Sequence, residues 1–189
     1  IMLMIKLIVF DFDGVFTDGK FYFDNNSNTK KCYNGKDAYA LKILKNHNIK
    51  TGVITNDPVV SIEYAPHIFS RLDKVSLGSE RPKLDILDEW LLEYGYSYKD
   101  IAYIGDDLPD VPVLQKVGLS GCPIDAVDEV KQVSKYICKN KGGEGAVREF
   151  VDYIIRGLNS SKKNVCFCIP ARFNSSRLDQ KLLLPLGNK

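Results

Sequence analysis

The chain has 189 residues, with 26 Lys and Arg against 24 Asp and Glu, 44% hydrophobic and 26% charged residues, and a formal net charge of +2. That balance suits an ordinary globular protein with one core and some chain to spare. There is no long basic block and no apolar stretch long enough to span a bilayer, so neither nucleic acid nor membrane is expected as a partner. The five cysteines (Cys32, Cys122, Cys138, Cys166 and Cys168) are odd in number, form no CxxC pair and have no His nearby. Free thiols in a reducing, cytoplasmic compartment fit them better than a disulfide or metal framework.

The first predicted element is a strand over residues 7–12. Its apolar run is interrupted by Asp11 and Asp13 and has no small-residue cleavage site after it, so it reads as buried strand and not as signal peptide. Next, "GKFYFDNNSNTKKCYNG" places two short β-type runs around an Asn-rich turn at residues 24–28, the signature of a projecting hairpin. Further strands are predicted at 50–54, 74–77, 101–104 and 136–138, and helices at 38–46, 83–94, 111–117 and 144–155. In the helix at 83–94, Leu84, Leu87, Leu91 and Tyr94 keep helical spacing up to the stop at Gly95. Strands apolar on both faces and separated by helices imply an α/β fold, a parallel sheet covered on both sides. From Asn159 the texture becomes polar and turn-rich. The expected organisation is a domain over 1–157, a linker over 158–164, and the truncated start of a second domain over 165–189.

In an open parallel sheet, ligands bind beyond the carboxyl ends of the strands. Three polar clusters fall there: Asp11 and Asp13, then Thr55-Asn56-Asp57, then Gly105-Asp106-Asp107. Lys83 opens a helix after Pro82. The four acids Asp11, Asp13, Asp106 and Asp107 cannot gather ionised without a cation, and their hard oxygens suit Mg²⁺. A carboxylate can also attack phosphorus. Thr55 and Lys83 offer a hydroxyl and a point charge to phosphoryl oxygens, and Asp13 is placed for proton transfer. Asp110 is poised between capping the next helix and reaching the metal's outer shell.

In order along the chain, "DFDGVFTDG", "VIT", Lys83 and "GDD" resemble the four motifs of the haloacid dehalogenase phosphatase superfamily, and the match covers nearly all of residues 5–157. The resemblance implies a Rossmann-like fold with Asp11 as nucleophile and Asp13 as general acid and base. Lys83 becomes the motif-three cation, and Thr55 becomes a phosphate ligand beside Gly14 and Asn56. Asp106 would bind Mg²⁺ with Asp11 and the Asp13 carbonyl, supported by Asp107. Neither the 11–55 nor the 55–83 interval has room for a cap domain, so the chain resembles the capless branch typified by 3-deoxy-D-manno-octulosonate 8-phosphate phosphatases. That branch implies a homotetramer assembled through the hairpin. It also implies a site closed by a neighbour's "GGEGAVREF" segment, with Arg148 facing the substrate.

"KVGLSGCPIDA", "YICK" and "DEW" resemble the phosphatase-like domain of animal CMP-sialic acid synthetases. "IPARFNSSRLDQK" resembles the opening motif of sugar-acid cytidylyltransferases, in which Arg172, Ser175, Arg177 and Lys181 would meet CTP phosphates. The implied activity is Mg²⁺-dependent hydrolysis of an eight- or nine-carbon 2-keto-3-deoxy sugar acid phosphate. The rivals are a non-catalytic assembly domain and a receiver domain. One departure stands out: the family often continues motif two as Thr/Ser-Gly-Arg, an Arg that helps bind the sugar acid, where this chain has Thr55-Asn56-Asp57. In "NGKDAYAL", Lys36 and Asp37 are candidates for sugar contacts, with a helix N-cap at Asp37 as the plainer role.

Overall fold

The computed structural model describes residues 4–23, 25–26, 29–57 and 65–161. The tail motif with Arg172, Ser175, Arg177 and Lys181, and with it Cys166 and Cys168, lies outside the described residues, as do residues 162–164 of the expected linker.

Among the described residues six parallel strands form the sheet: β1 (Leu7–Phe10), β4 (Lys50–Thr55), β5 (Lys74–Leu77), β6 (Ile101–Ile104), β7 (Leu119–Cys122) and β8 (Tyr136–Ile137), in the order β5-β4-β1-β6-β7-β8. The central strand β1 is apolar throughout because both its faces are covered, and its alternate residues feed two cores. Ile8 and Phe10 pack with Leu41 and Leu44 of α1 (Gly35–Asn46), Ile68 of α2 (Pro66–Phe69) and Val147, Phe150 and Val151 of α6 (Ala146–Ser161). Leu7 and Val9 pack with Leu87 and Trp90 of α3 (Lys83–Tyr94), Leu114 of α4 (Val111–Leu114) and Val130 of α5 (Asp128–Val133). The predicted fold class therefore stands, with the expected hairpin formed by β2 (Tyr22–Phe23) and β3 (Thr29–Lys30) pairing antiparallel.

Several boundaries differ from expectation, each for a local reason. β1 ends at Phe10, two residues early, because the Asp11 side chain accepts from the Phe12 N–H at 2.7 Å and turns the chain out of the sheet. β7 has no signal in the sequence, since "LSGC" carries neither alternation nor a β-branched run, and α2 and α5 are too short for a periodic signal. α1 starts at Gly35, where the Asn34 side chain caps the Lys36 N–H. α4 stops at Leu114, three residues early, and its final turn is tightened by the Lys116 N–H to Val113 carbonyl bond. α6 runs on to Ser161, through the first four positions of the expected linker.

Candidate active site

The carboxyl ends of β1, β4 and β6 meet the N-terminus of α3, and a buried charge cluster forms there. The Asp11 N–H still bonds the Ile104 carbonyl at 3.0 Å, which fixes the residue at the sheet's edge. Its Oδ2 lies 2.9 Å from Lys83 Nζ. Lys83 is the first residue of α3 and is buried. That ammonium donates to Asp110 Oδ1 at 2.7 Å, and the Tyr103 hydroxyl donates to the same oxygen at 2.6 Å. The other Asp110 oxygen accepts from the backbone N–H groups of Asp106, at 3.0 Å, and Asp107, at 3.3 Å. One fully buried carboxylate therefore ties the motif-three cation to the loop after β6.

Oxygens of Asp11, Asp106 and Asp110 all lie within 4.8 Å of one another. Burial pushes the Asp11 carboxyl well above its ordinary range, and Asp110 adds to this against the pull of Lys83. Burial and Asp110 push Asp106 up to about 7. Burial disfavours the charged form of Lys83, yet Asp11 and Asp110 hold it above its ordinary value. Acids that resist ionising together are what a cation relieves, and an all-oxygen donor set fits a hard divalent ion. Gly14 makes the approach possible. Its φ is +73°, and a Cβ there would sit 1.9 Å from Asp106 Oδ2. Because Asp110 already accepts four hydrogen bonds, Asp11 and Asp106 are the members with capacity for a metal.

A second, shallower cluster surrounds Asp13. Thr17 Oγ1 donates to its Oδ1 at 3.1 Å, and Lys31 Nζ donates to its Oδ2 at 2.6 Å. Lys31 also bridges to Asp57, the residue that stands where the family often has Arg. The hairpin thus returns a cation to the site, at a position that no motif marked.

The remaining expected residues scatter. Thr55 is buried at the end of β4, and its Oγ1 accepts from the Asp57 N–H at 3.2 Å. Asn56 follows it, exposed at the mouth. Asp107 is exposed, and its carboxylate accepts from the Leu108 N–H at 2.7 Å, capping its own turn outside the acidic cluster. Lys36 is exposed on the first turn of α1. Asp37 is fully buried, and it caps not α1 but the start of α6, accepting from the N–H groups of Gly145 at 3.1 Å and Arg148 at 2.7 Å. The Arg148 guanidinium bonds Asp152 at 3.0 Å and lies 5.9 Å from the Tyr39 ring. "GGEG" packs on the motif-one loop. The Gly143 N–H bonds the Val15 carbonyl at 3.1 Å, and a Cβ on Gly142 would meet the Gly14 oxygen at 1.9 Å.

Comparisons with known proteins identify relatives of the chain. The sequence profile of haloacid dehalogenase-like hydrolases matches residues 28–118. A 3-deoxy-D-manno-octulosonate 8-phosphate phosphatase of Salmonella typhi is 34% identical over 152 residues, which span 80% of this chain and 79% of that protein. The chain belongs to this family of haloacid dehalogenase-like phosphatases. Its members include solved structures of the same shape. The Moraxella catarrhalis 3-deoxy-D-manno-octulosonate 8-phosphate phosphatase, in complex with a magnesium ion, a phosphate ion and a KDO molecule, aligns with a TM-score of 0.77 and 28% identity, over 85% of this chain and 91% of that one. The cobalt-bound Haemophilus influenzae enzyme aligns with a TM-score of 0.74 and 28% identity, over 87% and 95%. N-acylneuraminate cytidylyltransferase A of Danio rerio is 30% identical over 152 residues, which cover 80% of this chain but 35% of that protein. Among the described residues, no helix is long and apolar enough to cross a membrane.

Proposed function

We propose that this phosphatase hydrolyses a 2-keto-3-deoxy sugar acid phosphate, an octulosonate 8-phosphate or a nonulosonate 9-phosphate, through an aspartyl phosphate. The carrying observation is the Asp11 carboxylate 2.9 Å from Lys83 Nζ and beside Asp106, at the carboxyl end of β1. Asp11, Asp106 and the Asp13 carbonyl would hold Mg²⁺, with Asp107 in support; when bound, the ion neutralises the acids and polarises phosphoryl oxygens.

The chain's own groups account for the bond changes. An Asp11 oxygen attacks phosphorus as the ester P–O bond breaks, and the leaving alkoxide takes a proton from the Asp13 carboxyl. Lys83, the Thr55 hydroxyl and the N–H groups near Gly14 and Asn56 bind the phosphoryl oxygens. A water then gives its proton to the Asp13 carboxylate and attacks phosphorus, breaking the bond to Asp11 and releasing phosphate. Lys36 and Asp37 were candidates for sugar contacts. Lys36 keeps that assignment, while the carboxylate of Asp37 is committed to the N–H groups of Gly145 and Arg148.

We further infer a cytoplasmic homotetramer. The hairpin aromatics Phe21, Tyr22 and Phe23 are 62%, 41% and 67% exposed, a patch suited to packing against other copies. In that assembly Arg148 would face a neighbouring copy's substrate. The segment 165–189 is proposed as the start of a cytidylyltransferase-like domain, on the resemblance carried by its "IPARFNSSRLDQK" stretch. The test is phosphate release from a panel of sugar acid phosphates with and without Mg²⁺. Turnover of an octulosonate or nonulosonate phosphate only with the metal is expected. No turnover of any member would favour a non-catalytic tetramerisation domain of a cytidylyltransferase.

A further inference from the structure

The Asp13–Lys31–Asp57 bridge is absorbed by none of the roles above. Lys31 leaves β3 at the base of the hairpin, and its side chain is 4% exposed although both its partners reach the mouth of the site. Burying an ammonium is costly unless it is paired. Here it is paired twice, with Asp13 at 2.6 Å and with Asp57. Asp13 in turn has each oxygen held by a different donor, Oδ1 by Thr17 and Oδ2 by Lys31. A carboxylate on a loop would otherwise turn about its side-chain bonds, and proton transfer needs it within hydrogen-bond reach of the ester oxygen.

We propose that Lys31 is a positioning residue that fixes Asp13 toward the leaving group, and that Asp57 anchors Lys31. The inference rests on the phosphatase reading and deepens it. A competing role, in which Lys31 attracts the substrate's own carboxylate, fits the observations less well. The Lys31 ammonium is already engaged by Asp13 and Asp57, and its side chain is 4% exposed. The bridge also gives the hairpin a part in the chemistry beyond any contact between copies. It explains as well why an acid is tolerated at position 57, where an arginine would face Lys31 with like charge.

The experiment compares Lys31→Met and Lys31→Arg with the wild-type chain, each supplied with Mg²⁺, on two substrates. One is a sugar acid phosphate, whose alkoxide must be protonated as it leaves. The other is p-nitrophenyl phosphate, whose leaving group departs unaided. General acid assistance is worth about 10²–10⁴ in rate, so a displaced acid loses part of that on the alkyl substrate alone. The expected result is a drop in kcat/KM for Lys31→Met at least about tenfold larger on the sugar substrate than on the aryl one, with partial recovery in Lys31→Arg.

An equal loss on both substrates, or a rise in KM with kcat unchanged, overturns the inference. Asp57→Asn keeps it falsifiable if Lys31→Met does not fold: the same selective loss at smaller amplitude is expected, and no selectivity overturns it. Failure of the wild type to hydrolyse either substrate would overturn the phosphatase reading itself, an outcome distinct from uniform loss in the variants.

Discussion

The site has a deep half and a shallow half, and they are built differently. In the deep half, Asp11, Lys83, Asp110 and Tyr103 are all buried, set by strand ends and a helix start, and each charge has a partner of opposite sign. In the shallow half, Asp13 and Asp57 keep side-chain exposures of 31% and 16%, and their cation comes from a hairpin. In the proposed reaction Asp11, as nucleophile, needs a fixed, desolvated carboxylate, whereas Asp13, as the proton-transferring group, must meet both substrate and water. Rigidity follows the first demand and access the second.

The contrast can be broken by removing each cation. Lys83→Met leaves Asp11 and Asp110 facing one another in the interior. Denaturant unfolding should show a loss of about 3–5 kcal/mol, with turnover abolished. Lys31→Met leaves partly solvated acids, and about 1 kcal/mol is expected by the same measurement. Equal losses would erase the distinction between the halves.

A smaller effect tests how the motif-one loop is seated. Gly142→Ala must push the "GGEG" turn off the Gly14 oxygen, costing about 1–3 kcal/mol in unfolding free energy and lowering turnover. Gly157→Ala on α6, where a Cβ meets nothing within 4 Å, should instead gain about 0.5–1 kcal/mol.

A separate effect, read against pH, concerns Asp37, outside both halves. Burial pushes its carboxyl up to about 6, against the pull of the Arg148 and Gly145 N–H groups. Because the folded value lies above the ordinary 3.8, the fold favours the protonated form. Stability from this group is therefore full below pH 3.8, is lost as pH rises through about 6, and is level above that. The melting temperature of the wild type minus that of Asp37→Asn should fall by on the order of 5–10 °C across that window. A flat difference would show that the latch does not titrate there.

What the sequence disclosed follows the same division. Asp11, Lys83 and Asp106 sit at strand ends and a helix start, where an apolar run delivers a charge, and such places can be seen in one dimension. β7 could not be seen, because Ser120 and Gly121 hide a strand whose burial is decided by Phe150 packing onto Gly121. Asp37 looked like a local cap but serves a helix whose first turn is 108 residues away, at Gly145. Lys31 carried no motif. Its role depends on how far the hairpin folds back, which is a tertiary fact. Asp110 was undecided in the sequence because its four partners come from α3, β6 and its own turn.

The central claim, that Asp11 is a covalent nucleophile, is met most directly by acid quenching during turnover of a sugar acid phosphate carrying labelled phosphorus. Label on the wild-type chain, released by hydroxylamine, is expected, with both label and turnover absent in Asp11→Asn. Turnover by Asp11→Asn at the wild-type rate would contradict it.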